Sequence, residues 1–150
     1  MKRRLQIILY LLIVTLIIFS FKCGSQDASP IKIESTERAN RVLLGGSLNR
    51  QELAPKDSKT DVILVLKIKG ISIEEFQNIS HNEEEDIYIV AEEQKFSASV
   101  TRSGTIGGKE SIELFVGVPR DALELTLYVG SYPPKTFKVK GKIVDELKEW

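Results

Sequence analysis

The sequence predicts an all-β protein: an antiparallel β-sandwich preceded by an N-terminal hydrophobic helix that acts as a signal or an anchor. Three observations support this fold class. From residue 61 onward, short segments alternate apolar and polar residues, the period of a strand with one buried face. They recur about every 8–12 residues and are separated by glycine, proline or charge, as in sandwiches. No long stretch has the apolar period of an amphipathic helix, which disfavours a bundle or a doubly wound fold.

Residues 1–23 have the layout of a signal peptide or a membrane anchor. Basic residues at positions 2–4 precede a mainly apolar run, residues 5–21, and Lys22 follows it. As a helix this run would span roughly 25 Å, slightly less than a bilayer core of about 30 Å. The positive-inside rule keeps the basic cluster in the cytoplasm. We therefore expect the rest of the chain to be extracytoplasmic, held at the cell membrane or the outer membrane.

Cys23 is the only cysteine, and three fates of the N-terminal segment remain open around it. In the first, a lipoprotein signal is cleaved before Cys23, which then carries lipid; residues 23–26 resemble the start of a mature bacterial lipoprotein. In the second, the segment stays as an uncleaved anchor, because Lys22 stands where lipoprotein signals have a small residue. In the third, ordinary cleavage frees the chain, although no A-x-A-like site is present. A single cysteine excludes an intramolecular disulfide and a zinc site built on several thiolates.

Charge and length limit the function classes that fit the chain. The sequence has 21 basic and 21 acidic side chains, and four of the basic ones lie within residues 1–23. The remainder therefore has 17 basic and 21 acidic groups, a net charge of about −4. We expect no nucleic-acid partner, because phosphate binding needs a basic face. The length after the N-terminal segment suits one compact domain.

A polar segment, residues 24–40, is expected to tether a sandwich domain at residues 41–142. Residues 41–44 would form a first short strand, and residues 47–60 a loop, because that stretch is polar and contains proline. The clearest strand is residues 62–69, which are rich in β-branched side chains. Its apolar start predicts a central position in a sheet.

Further strands are expected at residues 87–91, 95–100, 111–118, 123–129 and 136–139. The side chains predicted to face the core are Phe96, Ala98, Val100, Ile112, Leu114, Val116, Val118, Leu123, Leu125, Leu127, Val129, Phe137 and Val139. The glycine-rich stretch 101–109 is predicted to be a loop. Residues 143–150 are predicted to be a C-terminal tail, either frayed or a short amphipathic helix.

Residues 62–139 resemble a known class of domain. A strand ending FVGVP (residues 115–119) leads into RDA (residues 120–122), a leucine-rich strand, the turn GSYPP (residues 130–134) and a closing strand. This order resembles the telokin-like, immunoglobulin-like domains of unknown function in bacterial membrane-anchored proteins and lipoproteins. The resemblance implies an immunoglobulin-like sandwich acting as an extracytoplasmic adhesion or binding module, and it brings no catalytic residues.

Two features are candidate sites of chemistry. The acidic run Glu83, Glu84, Glu85 and Asp86 is a weak candidate for Ca²⁺, which takes about six to eight oxygen ligands. Neighbouring residues of an extended chain point in opposite directions, so we expect a solvated loop, with neither a metal site nor a cofactor. His81 is the only histidine, and it lies in a polar stretch with no catalytic motif around it.

Tyr128, Tyr132, Pro133 and Pro134 form a candidate contact patch, since aromatic side chains beside rigid prolines favour protein contacts; turn and edge packing is the structural alternative. The sequence thus predicts a non-enzymatic, membrane-tethered binding or adhesion module of the bacterial cell envelope with a protein partner. A structural accessory subunit of an envelope complex is the first alternative. A small hydrolase that would use His81 is the second.

Overall fold

The computed structural model describes residues 29–45, 49–82, 86–106 and 108–149. Within these ranges the chain is mostly β, with two sheets and one helix, so the predicted all-β class is confirmed. The predicted N-terminal helix lies outside the described residues. The strands are β1 (Lys32–Leu44), β2 (Gln51–Leu53), β3 (Asp61–Lys69), β4 (Ile87–Ala91), β5 (Gln94–Ser97), β6 (Val100–Ile106), β7 (Lys109–Pro119), β8 (Glu124–Val129), β9 (Lys135–Lys138) and β10 (Ile143–Glu149). The helix is α1 (Ile73–Asn82), and it is too short to cross a membrane.

The two sheets differ in size and pairing. The first has the order β10-β1-β3-β7-β6, with β2 paired to the end of β1. All its pairs are antiparallel except β1 with β10, which is parallel. The second sheet has the order β5-β4-β8-β9 and is antiparallel throughout.

The main core lies between the two sheets. Alternate residues of β3 and β7 meet alternate residues of β4 and β8, which is why the sequence alternates in these strands. Helix α1 adds Phe76, which is almost fully buried, and closes one side of the sandwich. The side chains predicted to face inward from the strand at 111–118 are confirmed: Ile112, Leu114, Val116 and Val118 are all buried.

A second, smaller core lies on the outer face of the first sheet. Ile63, Val65 and Phe115 point away from the main core, yet none is more than 2% exposed. They are covered by three residues from the second half of β1: Ala39, Val42 and Leu44. The second half of β1 therefore turns back over the sheet and carries β2 and β10 with it. This double burial explains the continuous apolar run at the start of β3.

Helix α1 departs from the sequence prediction, which placed no helix between β3 and β4. It begins after a turn at Gly70, whose φ is +95°. A side-chain β-carbon at Gly70 would overlap the backbone carbonyl oxygen of Pro30, so this turn requires glycine. The Ser72 hydroxyl accepts a hydrogen bond from the Glu75 backbone N–H at 3.2 Å and caps the helix.

Both predicted ends of the domain are wrong. Strand β1 begins at Lys32, within the segment predicted to be a tether, and Ile31 is already buried. The predicted C-terminal tail contains β10, which is neither a helix nor frayed where it pairs with β1. The pairing of these two strands joins distant parts of the chain, so the polar residues of each segment gave no local signal for it.

Two further predictions need correction. The predicted loop at residues 101–109 contains most of β6, which pairs with β7, and the first residue of β7. The predicted strand at residues 95–100 is divided, because β5 ends at Ser97 and the chain passes to the other sheet before β6 begins at Val100. Val100 accordingly packs in the second core, not with Phe96 in the first. Leu123 is 63% exposed, since the turn before β8 gives the inward position to Ala122.

Candidate functional site

His81 lies in the last turn of α1, and the acidic run follows that helix in the sequence. Among the described residues, no group of three or more His, Cys, Asp or Glu side chains is placed to hold a metal ion. Three of the four candidate ligands lie outside the described residues: Glu83, Glu84 and Glu85. Asp86 directly precedes β4, and its backbone carbonyl accepts a hydrogen bond from Gly130.

His81 is exposed and borders a shallow cleft of about 180 Å³ with Ser80, Ser99 and Thr101. The Ser80 hydroxyl donates to the backbone carbonyl of Gln77 at 3.1 Å, an ordinary contact for a serine in a helix. The cleft thus presents three hydroxyl side chains and the imidazole of His81.

The predicted contact patch divides into two parts with different partners. Tyr128 lies on the outer face of the second sheet, where its ring stacks on Tyr88 with centroids 4.7 Å apart and an angle of 8°. The ammonium of Lys95 lies 4.1 Å from the centroid of the Tyr88 ring. Continuing the β8–β9 register by one residue places Pro134 opposite Tyr128. The outer face of this sheet therefore carries a row of side chains that runs from β5 to the start of β9: Lys95, Tyr88, Tyr128 and Pro134.

Tyr132 belongs to the other part. Its hydroxyl donates a hydrogen bond to the Glu75 carboxylate at the start of α1, and its ring packs at the edge of the main core. The hydrogen bond to Glu75, together with partial burial and the negative charge of Glu75, raises the pKa of the Tyr132 phenol. Tyr132 thus fastens the β8–β9 turn to the helix, while Pro133 and Pro134 of the same turn are exposed.

A charged cluster that the sequence analysis did not identify lies beside the second core. Glu113 is only 6% exposed, and its carboxylate lies 3.2 Å from the Lys67 ammonium and 3.7 Å from the Arg102 guanidinium. Lys67 also lies 3.6 Å from the carboxylate of Glu149 on β10. Burial lowers the pKa of Lys67, but the hydrogen bond to Glu113 and the acidic charges around it more than offset this, so the net pKa is raised.

We expect Lys67→Met to destabilise the protein in a pH-dependent way. A lysine with a raised folded-state pKa contributes stability that is complete below its unfolded value, near 10.5, and is lost as pH rises through the folded value. The difference in unfolding free energy between wild type and variant should therefore be largest near pH 8 and shrink above pH 10.5. Urea unfolding of wild type and variant at pH 8 and at pH 11 measures this difference.

The matched control is Lys142→Met, which removes an exposed lysine and leaves the cluster intact. A stability difference for Lys67→Met that stayed the same from pH 8 to pH 11, or one no larger than that of the control, would contradict the role assigned to the cluster.

Two arginine side chains hold together one end of the sandwich. This end lies opposite the start of β1. Arg120 donates to the Asn40 side chain at 2.8 Å and to the backbone carbonyl of Ser58 at 2.7 Å. Arg38 donates to the backbone carbonyls of Arg120 at 3.2 Å and Gly141 at 2.7 Å. These bonds join the β2–β3, β7–β8 and β9–β10 connections into one surface, which also presents three exposed residues: Leu123, Lys140 and Lys142.

Comparison with known proteins gives no match for this chain among family models, curated proteins or solved structures.

Proposed function

We propose that this protein is a non-enzymatic, membrane-tethered binding module of the bacterial envelope, with its sandwich domain outside the cytoplasm. The sequence of residues 1–23 supports the location: a basic cluster, an apolar run at residues 5–21, and Cys23 at its end. Residue chemistry supports a binding role, because an apolar side chain, Leu123, is 63% exposed beside the exposed Lys140 and Lys142.

An immunoglobulin-like fold is part of the proposal. In the first sheet, the order β1-β3-β7-β6 corresponds to strands A-B-E-D of an immunoglobulin constant domain. In the second sheet, β5-β4-β8-β9 corresponds to C′-C-F-G. Strands β2 and β10 and helix α1 would then be additions to that plan. This strand order supports the resemblance seen between residues 62 and 139.

The tether would be short. Only residues 24–28 separate Cys23 from the first described residue, Ser29, and Ile31 is already buried in the core. Five extended residues reach at most about 18 Å. An anchor at Cys23 would thus hold the near end of the domain at the membrane surface, and the surface around Arg120 would face away from it.

The exposed residues of that far surface support it as the place where a partner binds. Leu123 is 63% exposed beside Lys140 and Lys142, and the arginine hydrogen bonds hold the surrounding connections in place. An apolar side chain within a polar rim is a common arrangement for a protein contact. Because a short tether limits reach, a partner at the same membrane is favoured, which keeps an accessory subunit of an envelope complex as the second candidate.

Fractionation tests the location. We expect the full-length chain to remain with membranes after high-salt washing, since the apolar run or a lipid holds it there. If Cys23 carries lipid, Cys23→Ser should leave an uncleaved precursor without lipid label, measured by mass spectrometry of the N-terminus. Ser25→Ala is the control. Release of the wild-type protein as a soluble species would refute the tether, and unchanged processing of Cys23→Ser would leave the uncleaved anchor.

Cross-linking in intact membranes tests the binding role. A photo-reactive amino acid at position 123 should give one dominant cross-linked protein, identified by mass spectrometry. The same amino acid at position 97, on the exposed edge of the second sheet, is the control. Cross-links from position 97 but none from position 123 would place the contact elsewhere. A Lys140→Glu variant that lost the cross-link would identify the charge preference of the partner.

A further inference from the structure

Strand β6 is an open edge of the first sheet. Within the described residues its backbone pairs with β7 alone, so one side of this seven-residue strand presents unpaired backbone N–H and C=O groups. The Ser103 side chain lies on the inner face of the sheet, where its hydroxyl accepts a hydrogen bond from the Gln77 side chain of α1 at 3.1 Å. Such an edge is a template for pairing with another strand, and proteins usually protect it with lysine, proline or short length.

The other edge strands carry that protection, and β6 does not. Strands β5 and β9 have four residues each and contain lysine, and β10 has acidic and basic residues along its length. In β6 the only charged residue is Arg102, and its guanidinium lies beside Glu113 of the neighbouring strand, 3.7 Å away. The edge of β6 is therefore uncharged on the side where a new strand would add.

Gly104 gives this edge a notch. A β-carbon at Gly104 would meet no atom within 4 Å, so its place on the outer face of the sheet is empty. The notch belongs to a shallow cleft of about 140 Å³, and the polar residues that line it are Arg102, Ser103, Thr105, Ser111 and Glu113. Glycine inside a strand often marks a place where another chain approaches closely.

We propose that β6 pairs with β6 of a second copy of this chain, antiparallel, about a two-fold axis through Ser103. In this register Thr101 lies opposite Thr105 of the second copy, a favourable cross-strand pair. Arg102 lies opposite Gly104, so each arginine side chain fills the notch of the other copy and approaches its Glu113. The pairing joins two first sheets into one continuous sheet.

Neighbouring registers are less favourable. An axis through Arg102 would set two arginines directly opposite each other, and like charges in that position destabilise a sheet. An axis through Gly104 would set the two glycines opposite each other and leave both notches empty. Only the axis at Ser103 combines the arginine with the notch, because Arg102 and Gly104 lie one residue on either side of it.

Cysteine cross-linking of the full-length chain in mild detergent tests the axis. Ser103→Cys places the same residue of both copies opposite itself, with β-carbons about 4.5–5.5 Å apart, near disulfide range. We expect mild oxidation to give a dimer whose linked peptide, identified by mass spectrometry, joins position 103 to position 103. Ser97→Cys, on the edge of the second sheet, is the matched control and should give no such link. Absence of the 103–103 link would overturn the proposal.

A charge variant tests the register through its effect on dimer formation. Gly104→Lys sets a lysine opposite Arg102 of the second copy, so the dimer dissociation constant should rise about tenfold or more, measured by analytical ultracentrifugation. Ser97→Lys, the same added charge on another edge, should leave it unchanged. A monomeric wild type, or equal effects of the two variants, would overturn the proposal. If Gly104→Lys fails to fold, the Ser103→Cys result decides alone.

Discussion

Replacing Leu66 with aspartate is expected to abolish folding. Leu66 lies in the centre of β3, is fully buried, and points into the core between the two sheets. A buried carboxylate without a partner costs several kcal/mol, which is comparable with the whole stability of a domain, about 5–15 kcal/mol. The far-UV and near-UV circular dichroism of the purified full-length variant should show loss of the β fold.

The control for this change is Leu123→Asp, the same substitution at a leucine that is 63% exposed. Its effect on the unfolding free energy should stay within about 0.5 kcal/mol, as for other surface changes. A folded Leu66→Asp protein, or equal damage from the two variants, would show that the core between the sheets is misassigned.

Replacing Phe115 with alanine is expected to cost about 3–5 kcal/mol, the usual effect of truncating a buried phenylalanine. Phe115 is 0% exposed although it faces away from the main core, because the second half of β1 covers it. Urea unfolding of the full-length chain in detergent should show a lower midpoint with the same slope. A loss of this size is expected only if Phe115 is buried in the second core.

Phe137→Ala is the matched control. Phe137 lies on the edge strand β9, is only half-buried, and packs at the margin of the main core, so its loss should cost clearly less. If Phe115→Ala cost no more than Phe137→Ala, the outer face of the first sheet would be exposed to solvent and β1 would not turn back over it.

The sequence was a good guide to the centre of the sandwich. In β8 the residues that face the core alternate with polar or partly exposed ones, and the burial of Leu125, Leu127 and Val129 follows that alternation. In β3 the alternation is hidden by double burial, yet its apolar run correctly predicted a central strand. These signals are local, and each can be recognised within one strand.

The sequence was a poor guide to the periphery, where structure depends on distant pairing. Arg38 pairs with Ile143, more than 100 residues away, and neither segment has a distinctive pattern of its own. Lys67 and Glu113 looked like two ordinary outward charges, because nothing local shows that the second half of β1 and β10 cover the face they share. Lys67→Asp is accordingly expected to destabilise the fold, since it would place an acid beside Glu113 and Glu149.

The candidate contact patch shows the same limit. Tyr128 and Tyr132 were grouped because they are close in sequence, but the partner of Tyr128 is Tyr88 on the neighbouring strand and that of Tyr132 is Glu75 on the helix. Cross-strand register decides these contacts, and register cannot be seen in one strand alone.

The parallel pairing of β1 with β10 has a consequence for biosynthesis. Residues leave the ribosome, and pass an export channel, from the N-terminus onward, so β1 emerges first and β10 last. Until β10 arrives, the second half of β1 lacks its neighbour, and Val42 and Leu44 have an incomplete cover for the outer face. A chain that ends before β10 would therefore display a half-built core to proteases and chaperones. Quality control could thus distinguish copies that have made β10 from copies that lack it.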